Sequence, residues 1–215
     1  KNTQLKEWLD KDTSFKVVCE RVGEHKFGSQ GIEEEVGEQI LKQAKQQLGF
    51  MPTVRMASPD IIIYVFINKN NAYLGIDFAG RDLSKRKYRI FSAPGIINAN
   101  LAYALVRLSN YSKKEKTVDL FCKAGVVCIE AALYASGKSI NYYSKDFAFK
   151  KLKPFTKKDW DAFFKAIDDK GKDDKLDIIG LDPMLRNVEA SKRNAKLAGI
   201  DKLINFSRMD TEWLD

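Results

Sequence analysis

The sequence predicts an α/β protein made of two successive modules, and three observations carry that reading. Ile61 to Ile67 is an unbroken apolar run, too short and too β-branched for a helix, and Lys69, Asn70 and Asn71 behind it can turn the chain into a hairpin. Ile32, Val36, Ile40, Ala44 and Leu48 recur at every fourth position, the spacing of one helix face. From Thr117 onward strand-like and helix-like segments alternate, which is the pattern of a parallel, doubly wound sheet.

In chain order, Phe15, Val17 and Cys19 alternate with Lys16 and Glu20, so the first strand has one buried face. A loop with Gly23, Gly28 and Gly31 leads to the amphipathic helix, with Glu33, Glu34 and Glu35 expected at its positive end and Gly49 as its stop. The hairpin follows, its second strand expected over about Tyr73 to Phe78. Ile97, Leu101, Leu105 and Leu108 mark a further helix by their apolar face, and Ser112 to Lys116 is a polar break. Thr117 to Phe121 reads as a strand, Val126 to Ala135 as the helix after it, and Leu176 to Leu181 as the next strand, after a long intervening stretch. A helix with Leu185, Val188, Ala195 and Ala198 inward ends at Gly199, and Leu203 to Phe206 opens a third strand. The division expected is 1–90 for the first module, 91–112 for a linker helix and 113–215 for the second.

Composition narrows the function classes. With 44% hydrophobic residues the chain is globular, and no apolar stretch approaches the roughly 20 residues a bilayer crossing needs. It begins at Lys1 with no charged-then-apolar leader, which reads as an internal fragment without a secretory signal. Three cysteines, Cys19, Cys122 and Cys128, form no CxxC pair and have no histidine cluster beside them, so a reduced, cytoplasmic setting without bound metal is expected. The single histidine, His25, reads as a surface or loop residue. A formal net charge of +8 suits a polyanionic partner, although lysine-rich surfaces also serve solubility.

The chemistry gathers at strand ends. Asp119 closes the first strand of the second module and is followed by Phe121, Cys122, Lys123, Ala124 and Gly125, a glycine-containing turn into a helix of the kind that receives a nucleoside cofactor. Asp182, with Pro183 and Met184, ends the second strand, and Asp210 follows the third. A carboxylate after the second strand can accept both ribose hydroxyls, and one after the third can accept an adenine amine; a helix cap or a loop brace is the commoner role for any single one of these acids. Arg81, Lys85, Arg86, Lys87 and Arg89 put five cations around Tyr88, either a contact surface for RNA phosphates or a solvated linker. Between Asn141 and Lys175, aromatics alternate with lysines, which suits either base stacking or packing on the sheet.

These residues together resemble the THUMP-containing class I methyltransferases that form N2-methylguanosine in transfer or ribosomal RNA. The resemblance covers nearly the whole chain and runs through the strand pair Ile61 to Phe78, the junction Gly80 to Arg89, and Leu101-Ala102-Tyr103-Ala104-Leu105. It continues through Asp119 to Gly125 with Ile129-Glu130-Ala131-Ala132-Leu133, then Gly180-Leu181-Asp182-Pro183-Met184 and Asn194 to Gly199. It implies a THUMP-type RNA-binding module followed by a partial Rossmann-like methyltransferase domain, with S-adenosylmethionine as cofactor and structured RNA as partner. The family's first loop usually reads Asp-Pro-x-Cys-Gly-Ser-Gly-Thr, so Asp119, Cys122 and Gly125 match while Lys123, Ala124 and Val126 depart from it. Its Asn/Asp-Pro-Pro-aromatic signature is not in this sequence, which places the catalytic residues beyond it. The resemblance also implies a ferredoxin-like segment before the first module, with Lys1 to Asp12 as its tail. The rival readings are a non-catalytic THUMP adaptor that only binds RNA, and a DNA adenine methyltransferase on the shared cofactor fold.

Overall fold

A computed structural model describes residues 5–210 and residue 212. The chain divides into two compact units: the residues up to Arg81 together with Asp146–Trp160, and Asp82–Lys145 together with the residues from Asp161 onward.

In the first unit, β1 (Ser14–Val22) buries Phe15, Val17 and Cys19 as its alternation requires. Helix α1 (Ser29–Leu48) packs Ile32, Val36, Ile40 and Ala44 against the same core and stops at Gly49, whose φ of 79° provides the left-handed cap. The helix starts a turn earlier than its acidic cluster indicates. Glu33 therefore lies inside the helix, beyond its first turn, and accepts the Cys19 backbone N–H at 2.8 Å, tying α1 to β1. After the short β2 (Thr53–Val54) come β3 (Ile61–Asn68) and β4 (Asn71–Ile76), giving the sheet order β2-β1-β3-β4 with only the last pair antiparallel. Lys69, at φ 53°, makes the turn so tight that Asn68 pairs with Asn71, and β4 ends at Ile76 rather than Phe78. Phe78 packs edge-on against Phe155 at 5.7 Å instead.

Phe155 belongs to the returning segment Asp146–Trp160. There the Phe149 N–H donates to the Phe78 carbonyl (3.0 Å), Leu152 is fully buried, and Phe149 and Trp160 rings lie 4.6 Å apart. Packing thus accounts for Phe149, Phe155 and Trp160, whereas Tyr142 and Tyr143, in the second unit, are exposed.

In the second unit, β5 (Thr117–Asp119), β6 (Ile178–Asp182) and β7 (Ile204–Arg208) are parallel in the order β5-β6-β7. Helices α2 (Ala99–Leu108), α3 (Val126–Ser136), α4 (Trp160–Asp168) and α5 (Leu185–Leu197) accompany them, α4 starting on the last residue of the first unit. Among the described residues no helix is long and apolar enough to cross a membrane. Residues 82–112 fall wholly within this unit, because Tyr88 and Val106 are part of its core, so the division lies before the expected linker helix. The buried face of α2 is also not the one its leucines mark. Ala99, Ala102 and Val106 face inward, while Leu101, Leu105 and Leu108 are 59%, 53% and 79% exposed. Small residues let α2 approach α3 closely; the leucine stripe remains uncovered among the described residues. In α5, Val188 and Ala195 are buried as expected, but Leu185 is exposed.

Candidate cofactor-binding site

The carboxyl ends of β5 and β6 meet at one loop. Asp119 Oδ1 accepts the Phe121 N–H at 3.2 Å, which bends the chain as it leaves β5. The Cys122 N–H then donates to the Leu181 carbonyl (2.8 Å), stitching the loop to β6. Lys123 at φ 49° and Gly125 at φ 76° turn it into α3. At Gly125 a Cβ would stand 3.0 Å from Phe206 and Ser191, so a side chain there would crowd both neighbours as well as strain the left-handed φ. Lys123 takes the same left-handed conformation with a side chain, at a cost of about 1 kcal/mol. Its ammonium donates to the Gly95 carbonyl at 2.9 Å.

Asp182 lies under this loop and is only 2% exposed. Its Oδ2 accepts the Lys123 N–H (3.0 Å), and its Oδ1 accepts the Met184 N–H (2.9 Å) and the Asn187 side-chain amide (2.9 Å). A carboxylate has about four lone-pair sites, so three internal donors leave room for one further donor rather than two ribose hydroxyls. Asp119 is less buried, and among the described residues its carboxylate has the one local bond. Burial raises its pKa above the usual carboxylate value, and the charge of Asp182 adds to the shift. Burial likewise pushes the Cys122 thiol up to about 12, so it stays protonated and unreactive. Phe121 and Met184 are 57% and 48% exposed beside these acids, Pro183 accepts a bond from Arg208 Nε (3.0 Å), and Asp210 Oδ1 accepts the Glu212 N–H (3.4 Å). Ala124 is fully buried.

The basic segment separates by residue. Arg81, in the first unit, stacks its guanidinium over Phe147 at 4.8 Å. Arg86 turns inward: with its side chain 8% exposed, it donates Nε to Oε1 of the fully buried Glu130 (2.9 Å) and Nη2 to Oε2 (3.3 Å). The Tyr88 hydroxyl donates to the same Oε1 at 2.8 Å. Glu130 and Tyr88 thus give Arg86 a structural place, contrary to the expectation of an RNA contact, because a buried carboxylate without its cation would be far costlier than a solvated arginine gained. Lys85 and Lys87 are exposed, Lys85 only loosely paired with Asp82 at 3.8 Å, and Arg89 Nη1 reaches the Ile97 carbonyl at 3.4 Å.

Sequence reasoning overlooked Glu130 and the polar face of α5, namely Asn187, Ser191 and Asn194. All are buried. The available signal was their placement among apolar positions, Ile129, Ala131 and Ala132 for Glu130 and Val188 and Ala195 for the α5 residues, where an unpaired polar group would be expensive.

A parallel sheet with acids at successive strand ends and a tight loop into a helix is the arrangement of a doubly wound, nucleoside-binding domain. The chain matches the model for the RMKL-like methyltransferase domain over residues 86–215, and it belongs to that family. Residues 2–77 match the THUMP domain. It is 31% identical over 207 residues to the tRNA (guanine(6)-N2)-methyltransferase of Methanocaldococcus jannaschii, covering 95% of this chain and 54% of that one. To the protein of that name from Archaeoglobus fulgidus it is 29% identical over 201 residues, covering 93% and 48%. The chain thus spans about half the length of these curated relatives. Among solved structures, SMU.472, described as a putative methyltransferase complexed with SAH, superposes with a TM-score of 0.80 at 26% identity, over 96% of this chain and 55% of that one.

Proposed function

We propose that this chain is the RNA-holding and cofactor-holding part of a cytoplasmic S-adenosylmethionine-dependent methyltransferase acting on the exocyclic N2 of a guanine in transfer or ribosomal RNA. The observation that carries the reading is the loop Cys122 to Gly125, set between the carboxylates of Asp119 and Asp182 at the ends of β5 and β6. Those residues fit the cofactor in kind. Asp119, half desolvated and with a raised pKa, gains from a cationic or hydroxyl donor, and Asp182 has one acceptor site left for a ribose hydroxyl. Exposed Phe121 and Met184 offer apolar surface for the adenine, and Asp210 lies after β7 for its amine. When bound, the cofactor supplies an electrophilic methyl group on sulfur. The protein holds donor and acceptor aligned, which replaces a bimolecular encounter by an oriented one. RNA would be held by the THUMP unit with Arg81, and by Lys85, Lys87 and Arg89 of the second unit.

Titration calorimetry with S-adenosylmethionine tests this reading. Binding that Asp119→Ala weakens about tenfold or more supports it, since a hydrogen bond to a charged group contributes about 1.5–3 kcal/mol. Absence of any binding heat at millimolar cofactor overturns it. One observation favours a second reading, the non-catalytic RNA-binding adaptor. Lys123 stands where the family has glycine, and its side chain is fastened across to Gly95.

A further inference from the structure

Three polar side chains of α5 follow one another at positions 187, 191 and 194, one stripe of a helix, and each is aimed at the cofactor loop or its acid. Asn187 donates to Asp182 Oδ1 at 2.9 Å. The Ser191 hydroxyl lies 2.9 Å from the Lys123 carbonyl and 2.9 Å from its own helix's Asn187 carbonyl, and 3.6 Å from the Cys122 sulfur. Asn194 donates to the Ala124 carbonyl (3.0 Å) and the Phe91 carbonyl (2.8 Å), and its Oδ1 accepts the Phe91 N–H (3.0 Å). Ser191 and Asn194 are fully buried, and Asn187 is 9% exposed.

We infer that this face of α5 sets the conformation of the loop Cys122 to Gly125, so that Ser191 and Asn194 are positioning residues for whatever the loop binds. The argument is one of peptide geometry. In a planar trans peptide the C=O and N–H point in opposite directions. Pinning the Lys123 carbonyl to Ser191 therefore turns the Ala124 N–H away from α5, and pinning the Ala124 carbonyl to Asn194 does the same for Gly125. The Gly125 N–H then meets the Cys122 carbonyl at 2.6 Å and closes the turn. Lys123 is held at its left-handed φ from three directions: its N–H on Asp182, its carbonyl on Ser191 and its ammonium on Gly95. That is how a residue with a side chain is kept in a conformation glycine adopts freely. Asn194 also joins Phe91 to the loop, and Gly95, a few residues on, receives the lysine, so the stretch Phe91 to Gly95 is fastened to the loop at both ends. An apolar helix face would pack as well but would leave the two loop carbonyls buried and unpaired.

The cofactor consequence rests on the function proposed above, whereas the loop conformation does not, and the test separates them. Hydrogen exchange is measured on the unliganded protein, and S-adenosylmethionine binding by calorimetry, for wild type, Ser191→Ala, Asn194→Ala and Val188→Ala. Val188 is an apolar residue of the same helix that makes none of these bonds. In Ser191→Ala the amides of Lys123 to Gly125 are expected to exchange about three- to tenfold faster, the range one lost net hydrogen bond gives, with the rest of the sheet unchanged and cofactor binding weakened by a similar factor. Val188→Ala is expected to speed exchange across the core without singling out the loop. Asn194→Ala adds faster exchange at Phe91. Loop amides at the wild-type rate in Ser191→Ala, or the same loop-specific acceleration in Val188→Ala, would overturn the inference. Faster loop exchange in a protein whose wild type binds no S-adenosylmethionine would uphold it and remove the function proposed for the site.

Discussion

Asp119 shows how a single residue records the demands of the site. Its pKa is raised by burial and by the charge of Asp182, so the folded chain holds the proton more tightly than the unfolded chain. The sign follows directly: as pH rises from the unfolded value of 3.8 through the raised folded value, the unfolded state loses its proton first and stability falls. Asp119→Asn is therefore expected to raise the unfolding midpoint at neutral pH, with the advantage shrinking toward pH 3, as followed by circular dichroism; a midpoint gain independent of pH would show that the carboxylate is not desolvated. Asp182→Ala has the opposite character, because it strips three internal donors of their acceptor. A loss of at least about 2 kcal/mol in chemical denaturation is expected, since each buried donor left unmet costs about 1–3 kcal/mol. Lys123→Gly removes both the left-handed cost and the side chain over Gly95. Tighter S-adenosylmethionine binding is the expected result in calorimetry, whereas weaker binding would mean that the ammonium leaves Gly95 to pair with the cofactor carboxylate.

At the scale of elements, the basic segment after β4 divides into residues that brace and residues that face water. Arg86 pairs with Glu130 inside the second unit, whereas Lys85 and Lys87 are exposed. Arg86→Ala should thus lower stability by about 3–5 kcal/mol by stranding a buried carboxylate. The pair Lys85→Ala and Lys87→Ala should leave the denaturation curve in place, weaken binding to tRNA, and reduce the steepness of its salt dependence in filter binding. An unchanged salt slope would remove those lysines from the interface. The same contrast explains what the sequence made legible. Strand and helix periodicities reported β1, α1, β3 and the βα alternation because one apolar face is enough to place each of them. The burial of α2 was misjudged since leucine marks hydrophobicity, while close helix packing is decided by Ala99, Ala102 and Val106. Arg86 and Glu130 are 44 residues apart, and no local pattern announces a pair at that separation. The acids at strand ends were readable from spacing, but the polar stripe of α5 that bonds to their loop was overlooked, because polar residues on a helix ordinarily face water and only the neighbouring Val188 and Ala195 marked this face as buried.

On the scale of the whole molecule, a THUMP unit and an RMKL-like methyltransferase unit share one chain that spans about half the length of its curated relatives. The Asn/Asp-Pro-Pro-aromatic signature does not occur in these 215 residues. The 215 residues alone are accordingly expected to transfer no methyl group. The most direct measurement is transfer from S-adenosylmethionine carrying a labelled methyl group into tRNA and ribosomal RNA, by a chain of the relatives' length, followed by mass spectrometry of the digested nucleosides. Label recovered as N2-methylguanosine, and lost in Asp119→Ala, is the result expected. Label on adenine, or an RNA that binds but never acquires label, would contradict the account.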